Sequence, residues 1–77
     1  MKLKPIASRK LIKALEKIGF VATRQKGSHV FLKHSDGRAT VVPVHKGEEI
    51  RRGLLRKIIK DVKLTREEFL KLLEELQ

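Results

Sequence analysis

Between residues 8 and 18 the apolar side chains Leu11, Ile12, Leu15 and Ile18 recur at the spacing of one helical face. Ser8 stands where a serine caps a first turn, and Gly19 where a glycine ends a last one. The spacing predicts a helix whose other face carries Lys10, Lys13 and Lys17, read first as solvated and otherwise as lining a phosphate backbone. After Gly19 the period shortens to two over residues 20–26, 29–34 and 38–44, with Lys26-Gly27-Ser28 and Ser35-Asp36-Gly37 as turns. That predicts a three-stranded meander. In its middle strand Val30 and Leu32 fall on one face and His29, Phe31 and Lys33 on the other, because successive side chains point to opposite sides. Pro43 lacks a ladder donor, so the third strand is an edge or ends there.

The segment HKGEE reads as a loop, and Ile50, Leu54, Leu55, Ile58 and Ile59 mark a second helix. Gly53 sits early in it; a glycine costs a helix up to about 1 kcal/mol relative to alanine, which points to a near-terminal position or a close packing contact. Arg52, Arg56 and Lys60 form a basic stripe at four-residue spacing. Thr65-Arg66-Glu67-Glu68 has the form of a capping box before Phe69, Leu70, Leu72, Leu73 and Leu76. A third, acidic, amphipathic helix is expected over residues 65–76, either packed on the domain or forming the seam of a homodimer. The order helix, three strands, helix gives an α+β fold of two layers, with helices on one face of a three-stranded antiparallel sheet, plus the C-terminal helix. A chain of 77 residues has room for one domain, expected over 1–77 with its core in 6–62. The same order on a basic chain resembles the double-stranded RNA-binding domain, which reads RNA by shape, 2′-hydroxyl and phosphate contacts.

Charge sharpens this picture. Lys and Arg number 19 against 9 Asp and Glu. Residues 1–60 hold 16 basic and 4 acidic side chains, net +12, and residues 61–77 hold 3 and 5, net −2. A Lys/Glu-rich surface of a heat-adapted protein would balance its signs in ion-pair networks, whereas an uncompensated basic field draws polyanions, of which nucleic acid is the most abundant. The chain has no cysteine, which removes disulfides, thiolate nucleophiles and thiolate metal sites and fits a reducing cytoplasm. No apolar run reaches the roughly 20 residues of a membrane span, and the start MKLKPIASRK lacks the apolar stretch of a signal peptide. A soluble, unprocessed, cytoplasmic protein with no membrane partner is expected.

Several chemistries are poorly supported. Glu48 and Glu49 are adjacent and point apart, Asp36 sits in a turn, and the remaining acids lie mostly on the last helix. A metal site would have to converge His29, His34 and His45, against the strand parity of the first two, so neither metal nor other cofactor is expected. No glycine-rich phosphate loop is present. RNA, however, supplies its own nucleophile, the 2′-hydroxyl, and an enzyme then needs chiefly a base that works near neutral pH, a task suited to histidine. His29 is the candidate base. Arg24, Lys26, Lys33 and Lys46 are candidates for stabilising charge on the phosphoryl oxygens. Gly27 lets backbone approach a phosphate, and Ser28 can donate a hydrogen bond to it.

The runs KGSHVFLKH, VPVHKGEEIRRGLLRKII and SRKLIKALEKIGF resemble the HicA-type (YcfA-like) mRNA interferase toxins of toxin–antitoxin systems, over about residues 6–62. The resemblance implies a fold like the double-stranded RNA-binding domain, cleavage of mRNA without a metal, and a HicB-type antitoxin that covers the site. It places the family's catalytic histidine, the first after Gly-Ser, at His29. Members often carry a second histidine directly after it, where this chain has Val30. His34 and His45 fall at positions where family histidines are common, and read first as surface or loop residues. The alternative to a toxin ribonuclease is a non-catalytic RNA-binding module in which His29 is one more contact. DNA binding ranks last, because no helix-turn-helix spacing is evident.

Overall fold

A computed structural model describes residues 2–76. The chain runs β1 (Ile6–Ala7), α1 (Ser8–Lys17), β2 (Val21–Lys26), β3 (His29–Lys33), β4 (Ala39–Pro43), β5 (Glu49–Ile50), α2 (Arg52–Asp61) and α3 (Arg66–Glu75). β2, β3 and β4 form the expected antiparallel meander with β3 in the centre. The fold is α+β and its arrangement is consistent with that of the double-stranded RNA-binding domain. A two-residue pair, β1 against β5, joins the start of α1 to the start of α2. It was not expected, and Ile50, counted above as helical, belongs to it.

Strand parity decides what is buried. Val30 and Leu32 of β3 and Thr40 and Val42 of β4 turn inward and are buried, while their sequence neighbours on the other side are not. The inward set meets Leu11 and Leu15 of α1, Leu55, Ile58 and Ile59 of α2 and Phe69 of α3 in one core. The three helices thus cover a single face of the sheet, and the other face is left open. α3 buries Phe69 and Leu72 in this chain's own core, so a homodimer seam through that helix would have only its remaining side chains to use.

Two details differ from expectation. Ser8 does not cap α1: the N-cap is Ala7, no side chain caps the end, and Ser8 is the buried first residue of the helix. The backbone enters α1 directly from β1, which places Ser8 one position inside the turn it was expected to precede. Gly53 is the second residue of α2 and a β-carbon there would meet nothing within 4 Å, so it is near-terminal and not a packing contact.

Candidate functional site

The β2–β3 connection is a two-residue turn, Gly27-Ser28, closed by the pairing of Lys26 with His29. Gly27 has φ +59°, the positive value that a two-residue hairpin turn demands at its first central position. A β-carbon on Gly27 would meet nothing within 4 Å, so the glycine is required by the turn and leaves open space above it. The Gln25 side-chain amide donates to the Gly27 carbonyl at 3.2 Å and braces the turn.

Register then brings the outward side chains into three rungs. Lys26, His29 and Pro43 make the first, Arg24, Phe31 and Val41 the second, and Val21, Lys33 and Ala39 the third. A register shift between Ala22 and Arg24 inserts an extra residue at Thr23, which returns Val21 to the outer face where strict alternation would put Ala22. Successive rungs lie two residues apart, about 6.8 Å. The Arg24 guanidinium stands 5.2 Å from the centre of the Phe31 ring. Arg24, Lys26 and His29 are therefore together, whereas Lys33 is two rungs from His29, about 13 Å along the strand.

Lys46 comes from the loop after β4. The Val44 N–H donates to the Ser28 carbonyl at 2.6 Å, which ties the exit of β4 to the Gly27-Ser28 turn and starts the Lys46 loop at the His29 end of the sheet. From Pro43, the rung partner of His29, a groove of about 340 Å³ passes His45 and Leu54 to Arg51. It adjoins a larger one of about 970 Å³ lined by Arg51, Arg52, Arg56 and the Glu48-Glu49 pair. Sequence spacing alone marked Arg52 and Arg56 as a stripe, but not the groove they line with Arg51 and the Glu48-Glu49 pair.

His29 is exposed, and among the described residues no hydrogen bond fixes its imidazole. His34 is its opposite. It is not a surface residue: its side chain is 17 % exposed, Nε2 donates to the Ile18 carbonyl at 2.9 Å, and Nδ1 accepts the Asp36 N–H at 3.1 Å. Its ring meets Phe20 edge to face, 5.1 Å between centres. His34 is a structural pin between α1 and the β3–β4 hairpin. Arg38 is engaged in the same way, donating to Asp36 at 2.8 Å and to the Val62 carbonyl at 2.6 Å. Among the described residues Arg24, Lys26 and Lys33 have no such carboxylate partner. Nor does any group of three or more His, Cys, Asp or Glu side chains there come together as a metal-binding cluster.

The family model described as HicA toxin of bacterial toxin-antitoxin matches residues 8–64 of the 77. The chain belongs to the HicA toxin family. The match spans α1, the whole meander and α2, and so includes every rung of the open face; α3 lies beyond it. As a HicA-family toxin the protein has an antitoxin as its partner in a toxin–antitoxin system. No curated protein matches the chain. No helix among the described residues is long and apolar enough to cross a membrane.

Proposed function

We propose that this HicA-family toxin is an mRNA endoribonuclease of the cytoplasm, with His29 as general base, and that a HicB-type antitoxin restrains it by covering that site. What supports the reading most is the Lys26–His29 rung: an exposed imidazole beside an unpaired ammonium, next to a turn with open space over its glycine. His29 takes the proton of an RNA 2′-hydroxyl, and the 2′-oxygen attacks the adjacent phosphorus. The bond to the 5′-oxygen breaks, leaving a 2′,3′-cyclic phosphate and a 5′-hydroxyl whose proton comes from water. Lys26, with Arg24 and Lys46 nearby, offsets the charge that grows on the phosphoryl oxygens, and Ser28 and the backbone at Gly27 hold the phosphate. Lys33 is too far along the strand to touch the same phosphate, and its part is to hold RNA further away. No metal is required, because the nucleophile belongs to the substrate.

A second reading, an RNA-binding module without catalysis, is favoured because no group among the described residues orients the His29 ring, whereas a working base is ordinarily held by a third group. One measurement separates the two. Purified protein incubated with single-stranded RNA in excess EDTA is expected to cut it, and His29→Ala to slow cutting by about 10²- to 10⁴-fold, the usual contribution of a general base. Full activity in His29→Ala would remove the proposed mechanism; RNA bound but never cut by the unaltered chain would leave the binding module.

A further inference from the structure

We propose that the outer face of the β2–β3–β4 sheet is a platform for unpaired RNA, on which a base stacks against Phe31 one rung away from His29. The inference rests on the RNA-directed reading above and adds the form of the RNA and the residue that reads it. Phe31 lies at the centre of the open face, half-buried, with Val41 on one side and Arg24 on the other. An aromatic ring flanked by cations is how proteins hold single strands: the ring takes a base face and the cations follow the backbone. Here Lys26 and Lys33 stand one rung to either side of Phe31, and the three rungs of this face carry no carboxylate. Asp61 lines a depression that Phe31 also lines, and its carboxylate is already bonded to Thr40 and Lys57.

Arg24 occupies the Phe31 ring in the free protein. An exposed guanidinium on a phenyl ring is held less tightly than a nucleobase stacked on it, so a base displaces Arg24 and frees it for a phosphate. A duplex cannot make this exchange, because its base faces are already stacked on one another. The occupant is therefore single-stranded, although the fold is arranged like a domain that binds duplexes. An acidic protein would be drawn by the same charge, but would gain nothing from the π-face that leucine lacks.

The test uses the full chain carrying His29→Ala, so that RNA survives, and a labelled short single-stranded RNA of mixed sequence beside a paired duplex of the same length. Fluorescence anisotropy is expected to show tighter binding of the single strand. Phe31→Leu should weaken it by about 5- to 150-fold without changing the slope of log K against log salt, and Phe31→Tyr should restore it. Lys26→Gln and Lys33→Gln should each reduce that slope by about 0.7. Unchanged single-strand affinity in a folded Phe31→Leu chain, or equal binding of the duplex, overturns the proposal. So does a Phe31→Leu chain that loses its antitoxin but keeps its RNA, which would assign the face to protein. Stacking on Phe31 with no cleavage by the His29 chain would uphold the platform and refute the nuclease.

Discussion

Gly19 and Lys63 occupy the same place in two helix endings. After α1 the Gly19 and Phe20 N–H groups donate back to Glu16 and Leu15, and after α2 the Lys63 and Leu64 N–H groups donate back to Lys60 and Ile59. The motif needs a residue with positive φ, which is +102° at Gly19 and +57° at Lys63. At Gly19 a β-carbon would also come within 2.8 Å of His34 Nε2. Gly19→Ala must therefore strain the backbone and displace the ring that pins α1 to the hairpin, and is expected to cost about 1–3 kcal/mol. Lys63→Gly relieves a left-handed lysine with no new contact and should gain up to about 1 kcal/mol. Urea midpoints of the two variants should move in opposite directions; a Gly19→Ala chain as stable as the original would contradict the packing described. Gly19 as a helix stop is legible in sequence, because the signal is local. The role of His34 is not, since Ile18 and Phe20 reach it only after the meander has folded back. Nothing in sequence marks Lys63 as left-handed.

Among the elements, α3 and the β3–β4 hairpin each hold a carboxyl that the fold keeps ionised. The Thr65 N–H donates to Glu68 at 2.7 Å while the Glu68 N–H donates to the Thr65 hydroxyl at 3.0 Å, a complete capping box. These bonds, the backbone one foremost, lower the Glu68 pKa from its ordinary 4.5. The Arg38 N–H, ahead of the Arg38 guanidinium, lowers that of Asp36 from its ordinary 3.8. A group whose pKa is lower in the folded chain stabilises it above the unfolded value, and that contribution is lost as pH falls through the folded one. The urea midpoint is accordingly expected to fall in acid, beginning near these ordinary values, and Glu68→Gln and Asp36→Asn should each flatten part of that fall. A fall of the same size in the double variant would count against both groups. The capping box is legible because its partners lie three residues apart. β1 and β5 are not, because two residues display no period, and Ile50 was drawn into α2 by an apolar spacing it happens to continue.

For the whole molecule, strand parity placed the candidate residues: the alternation that set Val30 and Leu32 inward set His29 outward, and the two-residue turn and the register set Lys26 and Arg24 on the same face. What parity could not supply was distance, and Lys33 proved remote on the same face. The uncompensated basic field should also govern how fast the antitoxin arrives. An antitoxin acidic on its contact face should associate at a rate that falls steeply with salt, measurable by stopped flow; a rate indifferent to salt would mean that the field plays no part in that encounter. The three-stranded sheet has β2 and β4 as its edges, and the candidate residues bear on both. β4 ends on Pro43, the rung partner of His29, which offers no N–H to a neighbouring strand. β2 is exposed along its length, and carries Arg24, Lys26 and the irregularity at Thr23. Charge and a bulge are what keep a bare edge from recruiting a second sheet. The cations proposed to meet RNA thus also guard the chain against its own copies, so variants that neutralise Arg24 and Lys26 together are expected to lose solubility as well.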